Sequence, residues 1–358
     1  MKDLHGGNIY KFQREGKNDI LDYSSNINPL GVPQKFINIA KENFDKLVKY
    51  PDPYYIELRK KISEFNSVNM DNIIVGNGAT EILFLYIRAL KPKKVLILAP
   101  CFAEYERALK SVSAKIDYFE LKESDYFYPN IINLKKEIEN NNYDLLLLCN
   151  PNNPTGQFIK LEDIKEIVKT SENKNTRIFI DEAFIEFIEN WKEKTVSLLK
   201  NKNVFIMRAF TKFFAIPGLR LGYGIGFNED ILKKMWEEKE PWTVNTFANL
   251  AGIVILDDKE YIEKSEKWIL EEKKFMYKEL NEFQYINAYK TECNFILIKI
   301  YNISSASLKD KMIEKNILIR DASNFKFLDY HFVRLAIKDR KSNLKMLEVL
   351  ADIMEYRG

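Results

Sequence analysis

Cysteine is scarce in this chain of 358 residues: Cys101, Cys149 and Cys293 are the only three, widely spaced and without a CxxC. So sparse and odd a count excludes a disulfide framework and fits a reducing compartment. Histidine is scarcer still. His5 and His331 stand too far apart to suggest metal-ligand spacing, so no metal is expected. No apolar run approaches the ~20 residues that span a bilayer, and MKDLHGGNIY lacks the apolar core of a signal peptide. Charge of one sign is also missing. Fifty-five basic residues face 52 acidic ones, a net charge of +3, and lysines alternate with glutamates in KEIENN and EEKKFMYKE as on solvated helix faces. Without a basic stripe interleaved with aromatics, nucleic acid is not an expected partner. These absences leave a soluble, cytoplasmic protein.

What is present is material for a core: 46% of the residues are hydrophobic. The length exceeds what one hydrophobic core usually organises, which predicts two lobes. Residues 1–35 are turn-rich (HGGN, then SSNINPLGVP) and read as an arm lying over something else. From 36 to about 240, helical stretches near 36–48, 54–65, 80–91, 103–112, 133–141 and 161–171 alternate with short apolar runs. Those runs are IIV (73–75), KVLILA (94–99), LLLLC (145–149), RIFI (177–180), NVFIM (203–207) and LGYGIG (221–226). Continuous apolar runs, rather than alternating ones, point to strands buried on both faces. The expected fold is α/β, a mostly parallel sheet between helical layers. Residues 241–358 change texture: a long amphipathic helix over 259–282, then strands at 294–300, 317–320 and 331–337, reading as a smaller α+β domain.

Polar residues punctuate the ends of these runs. GNGATE (76–81) follows a strand and opens a helix, whose first N–H groups and dipole can hold an anion. NPNNPTG (150–156) is a proline-restricted turn presenting Asn153. Asp181 ends RIFID, Lys212 follows NVFIMRAF, and Arg220 comes eight residues later in TKFFAIPGLRLG. Each has an ordinary alternative: a helix cap, an Asn-Pro turn, a strand-end carboxylate, one lysine among many. In parallel sheets, however, ligands sit beyond the carboxyl ends of the strands, where these groups fall. An amine can carry an aldehyde as a Schiff base. A carboxylate can keep a pyridine nitrogen protonated, and an arginine can clamp a phosphate.

With NNPTG, DEAF and TKFFAIPGLRLG in place, the chain resembles the fold-type I pyridoxal-phosphate enzymes of the aminotransferase class I/II superfamily over nearly its whole length. The resemblance implies an aspartate aminotransferase-like fold and pyridoxal 5'-phosphate as cofactor. Lys212 would bind the cofactor covalently, Asp181 would pair with the ring nitrogen and Asn153 with the ring hydroxyl. Phe102 would stack on the ring, and Ala79, Thr80, Thr211 and Arg220 would hold the phosphate. Tyr50 would reach that phosphate from a second subunit, implying a homodimer with a shared active site. Relatives usually carry a serine where Ala209 stands, and often a tyrosine where Phe184 stands; both departures remove a hydroxyl near the cofactor.

HGGNIY, DYSSNINPLG and LIRDASNF…FVRLAI resemble the threonine-phosphate decarboxylase branch of cobalamin biosynthesis more than its near relative, the histidinol-phosphate aminotransferases. This implies a small phosphorylated amino acid as substrate. Arg334 and Arg320 would bind its carboxylate, and His5, Asn8 and Asn28 would lie near its phosphate or close the site. Transamination of histidinol phosphate or a related amine is the alternative.

Overall fold

The computed structural model describes residues 6–354. A two-residue strand, β1 (Leu21–Asp22), comes first. Seven strands then build one sheet: β2 (Ile73–Asn77), β3 (Lys94–Ala99), β4 (Lys115–Glu120), β5 (Leu145–Cys149), β6 (Arg177–Asp181), β7 (Val204–Ala209) and β8 (Leu221–Gly226). Their order is β2-β8-β7-β6-β5-β3-β4. The five from β7 to β4 are mutually parallel, and β8 is antiparallel to both its neighbours. The apolar runs are buried on both faces because successive side chains point to opposite sides. Leu96, Leu146 and Ile178 belong to one core, while Ile97, Leu147 and Phe179 belong to the other, and none is more than 1% exposed. Burying each such side chain stabilises the fold by roughly 1.5–3 kcal/mol.

The C-terminal strands form a separate antiparallel sheet, from β9 (Ile286–Ala288), β10 (Phe295–Ile300), β12 (Arg320–Asp321) and β13 (Phe332–Ala336), in the order β12-β13-β10-β9. Between its members falls β11 (Ile317–Leu318), which pairs in parallel with β1. The 317–320 strand expected from sequence is therefore divided. Ile317 and Leu318 hold the N-terminal arm, and Arg320 joins the smaller sheet.

Two other expectations change. The stretch 36–48 is not one helix: Gln34–Glu42 ends where Asn43 turns its side-chain amide back to the Ile39 carbonyl at 2.7 Å, and Phe44–Val48 continues as a 3-10 turn. The strand β4 was not expected from sequence, because it lies at the sheet edge and its side chains are partly buried or, at Lys115 and Glu120, exposed, with no continuous apolar run.

Candidate active site

The carboxyl ends of β3, β5, β6 and β7 open on a cavity of about 420 Å³. Phe102, Asn153, Asp181, Thr211 and Lys212 line it, each at or just beyond one of those ends. Ala79 and Thr80 line it at the start of the helix Ala79–Leu90, where first-turn N–H groups have no acceptor within the helix. Arg220 lines it too, from the beginning of β8. Because β8 runs antiparallel, its first residue lies on the same edge as the last residues of its neighbours. Gly78 fits Arg220 closely: its φ is +80°, and a Cβ there would lie 2.5 Å from the Arg220 Nη2. Gly222 has no room for a side chain either, because the backbone of Ala79 crosses over it.

Asp181 is 5% exposed. Its Oδ2 accepts a hydrogen bond from the Tyr105 hydroxyl at 2.6 Å, and its Oδ1 accepts one from the Ala183 N–H at 2.8 Å. Burial nevertheless raises its carboxyl to about 6, against the lowering effect of those two bonds. Lys212 moves the other way. Burial first, then the charges of Arg334 and Arg220, bring its ammonium down to about 8.

Opposite the helix start, a second set of groups converges from the arm and the C-terminal sheet. Arg320 and Arg334 are direct cross-strand partners between β12 and β13. Two like charges in that position repel, so the pair suits an anion between them. Arg334 is 6% exposed, donates to Asn153 Oδ1 at 2.5 Å and to the Ser24 carbonyl at 2.7 Å, and its Nε has no hydrogen-bond partner among the described residues. Burial and the Arg320 charge lower its guanidinium to about 9, still protonated at neutral pH. Arg320 donates to the Asp321 carbonyl and to Asn324 Oδ1, with its guanidinium 5.1 Å from the Phe325 ring centre.

Three expected residues lie elsewhere. Asn28 does not line the cavity. Its amide is buried and donates to the Phe213 carbonyl and to Ser265 Oγ, while its N–H holds the Lys212 carbonyl at 3.1 Å. It thus holds the backbone of Lys212 from outside the cavity lining. Asn8 borders a small neighbouring crevice that shares Ser24 and Arg320 with the cavity. Tyr50 is 81% exposed and packs on Trp242, 4.9 Å between ring centres. His5 lies outside the described residues.

Sequence reasoning missed Tyr105, whose spacing of three from Phe102 on a helix start was the available signal. It also passed over Ser24, Ser25 and Asn26, which line the cavity. Ser24 and Ser25 are fixed by Asp22, whose carboxylate accepts both hydroxyls. Ala209 and Phe184 line the cavity as well, so the two missing hydroxyls are absent from its wall.

These features fit pyridoxal phosphate. One end offers Arg220 and a helix start for a phosphate, the floor offers the buried Asp181 carboxyl, in no ion pair among the described residues, and Phe102 and Lys212 offer a ring face and an amine. The opposite end keeps a second cationic pole for another anion.

Comparison with known proteins agrees with this geometry. Residues 18–350 match the model of the family described as aminotransferase class I and II. The chain is 44% identical to a protein of Caldanaerobacter subterraneus subsp. tengcongensis named "Putative threonine-phosphate decarboxylase", over 98% of this chain and 94% of that one. It is 33% identical to the threonine-phosphate decarboxylase of Salmonella typhimurium, over 98% and 96%. Among solved structures, the histidinol-phosphate aminotransferase of Clostridium acetobutylicum superposes with a TM-score of 0.88 at 39% identity, over 94% of this chain and 99% of that one.

Proposed function

We propose, from the premise that this chain belongs to the aminotransferase class I and II family, that it is a pyridoxal-phosphate-dependent decarboxylase. Its substrate is L-threonine O-3-phosphate and its product (R)-1-amino-2-propanol O-2-phosphate, a step of cobalamin biosynthesis. The observation that carries the substrate class is the cross-strand pair Arg320–Arg334: a buried cationic pole separate from the one at Arg220. A cavity with two such poles suits a cofactor phosphate at one end and an anionic substrate at the other.

Bound pyridoxal phosphate supplies a conjugated ring that takes up the electron pair released when a bond to the substrate Cα breaks. The chain's own residues then decide which bond that is. Arg334, anchored on Asn153 and the Ser24 carbonyl, would grip the substrate carboxylate and fix its orientation. That grip would set which bond to Cα is presented for cleavage, and loss of CO₂ requires it to be the bond to the carboxylate. Misplacement of ~1 Å can cost about a hundredfold. Asp181 would hold the proton on the ring nitrogen, oriented by Tyr105. Lys212 would hold the cofactor through its amine and would be the group that returns a proton to the substrate Cα. An amine lowered to about 8 can both accept and give up a proton near neutral pH.

The active enzyme is proposed to be a cytoplasmic homodimer. Phe44, Leu47, Val48, Tyr50, Tyr54 and Trp242 are exposed apolar side chains, Tyr50 packed on Trp242, in keeping with a face that a second copy would cover. Tyr50 would enter the partner's site from there. Among the described residues no helix is long and apolar enough to cross a membrane. A division into an arm (1–35), a large cofactor-binding domain (36–240) and a small domain (241–358) is supported by the two separate sheets.

The 39% identity to a histidinol-phosphate aminotransferase favours transamination as the second reading. Incubation with threonine phosphate separates the two. Release of CO₂ with stoichiometric aminopropanol phosphate is expected. Pyridoxamine phosphate formed from histidinol phosphate, with no CO₂ from threonine phosphate, would reverse the assignment.

A further inference from the structure

A second cavity, of about 490 Å³, lies away from the catalytic one. It is an open-mouthed cavity bordered by the segment 186–193 that follows β6, by Phe65, and by residues 262–270 of the long helix Lys259–Asn281. Its charge is opposite to that of the catalytic cavity. Glu186, Glu189, Glu193 and Glu266 face it, against a single cation, Lys192. Its apolar wall combines aliphatic side chains with three aromatic ones, Phe65 and Trp191 5.5 Å apart between ring centres and Phe187 in the same lining.

Glu186 is 4% exposed, and its Oε2 has no hydrogen-bond partner among the described residues. The nearby cation Arg208 is already committed: its Nε donates to Glu182 at 3.0 Å within a fully buried ion pair. Burial raises the Glu186 carboxyl to about 7, even though the Arg208 charge acts to lower it. An unpaired buried carboxylate is costly unless a cation joins it. The chain itself shows what the aromatic walls accept, since the Lys192 Nζ lies 4.7 Å from the Phe65 ring centre and 5.8 Å from that of Trp191. Ammonium over an aromatic face is attracted by the ring quadrupole. Among the described residues, no group of three or more His, Cys, Asp or Glu is placed to hold a metal ion. The volume also suits a small organic body better than a bare ion.

We propose that this cavity binds a small organic ammonium ion, its charge against Glu186 and Glu266 and its carbon groups against Phe65, Phe187 and Trp191. Phosphorylated molecules, the proposed catalytic substrate among them, are excluded by the four carboxylates. The site stands whether or not the chain is a decarboxylase.

Choline is the probe, because its quaternary nitrogen cannot condense with a carbonyl group in the catalytic cavity. Its neutral isostere, 3,3-dimethyl-1-butanol, is the control. Titration of the holoenzyme by calorimetry, with tryptophan fluorescence followed in parallel, should show one choline site per chain and no binding of the alcohol. Glu186→Gln should weaken choline binding about tenfold or more. Lys192→Ala should tighten it several-fold by removing the resident cation, a gain that a poorly folded variant cannot produce. The proposal is overturned if wild-type protein binds no choline, if the alcohol binds equally well, or if both variants bind choline as the wild type does.

Discussion

The two ends of the catalytic cavity are built differently. At the cofactor end, Asn153, Asp181, Lys212 and Arg220 stand at the edges of adjoining strands of one sheet, and each is introduced by its own strand or turn. At the substrate end, Ser24 and Arg334 meet across a separation of 310 residues, and Arg320 reaches Arg334 only through strand register. The first end is fixed by local chain direction within a rigid core. The second depends on the arm and the C-terminal sheet staying together. Damage at one end should therefore be separable from damage at the other.

The largest effect is expected at the cofactor end. Lys212→Ala should lower turnover by at least about a thousandfold. Borohydride should then fix no pyridoxyl label on the peptide containing position 212, while circular dichroism stays that of the wild type. Labelling at another lysine would remove Lys212 from its proposed role. Asp181→Asn comes next. Breaking a buried charge pair is worth ~3–5 kcal/mol, or roughly two to three orders of magnitude in kcat if most of it acts in the transition state. The cofactor should stay bound, and a rate near that of the wild type would show that the ring nitrogen needs no carboxylate.

The two ends also touch electrostatically, and the cofactor-free chain reports it. In the folded state the Lys212 ammonium is lowered from 10.5 to about 8 by burial and by Arg334 and Arg220. Between those values the unfolded chain binds a proton that the native chain does not, so this group makes stability rise with pH across that window. Below about 8 its full cost is present, on the order of 3 kcal/mol. Cofactor-free Lys212→Met should consequently melt higher than wild type at pH 7, and the gap should close between about 8 and 10.5. A gap that stays constant with pH would mean the lysine is not strained by its cationic neighbours.

A cut at the substrate end should be smaller and of another kind. Arg334→Gln should lower kcat/KM by about 10–100-fold, the worth of charged hydrogen bonds, with cofactor affinity little changed. Equal losses of cofactor and substrate binding would erase the distinction between the ends. Gly78→Ala should do the reverse on a lesser scale. Its methyl group must displace Arg220, so cofactor affinity should fall about tenfold while KM for substrate holds.

The same contrast explains what could be read from the chain. Lys212, Asp181, Asn153 and Arg220 were legible because each follows or precedes a strand recognisable from its own few residues. The setting of Asn28 was not legible, since its sequence surroundings show a polar turn and nothing reveals that Ser265 and the Lys212 backbone will take up its hydrogen bonds. Tyr105 was passed over because a helix-start tyrosine announces packing, and only the fold brings its hydroxyl to Asp181. The second cavity left no trace in the sequence reading at all. Glu186 follows a strand like many other glutamates, and its isolation appears only when Arg208 is seen to be held by Glu182.

By itself, then, the sequence determined the apolar strands of the large sheet, their burial on both faces and the groups at their ends, because hydrophobic period and chain punctuation act over a few residues. Tertiary structure alone decided that β8 runs backwards and brings Arg220 to the same edge, and that Arg320 stands opposite Arg334. It also decided that an arm from the start of the chain holds the carbonyl to which Arg334 donates. Those outcomes depend on register and on burial against distant segments, and no local pattern specifies either.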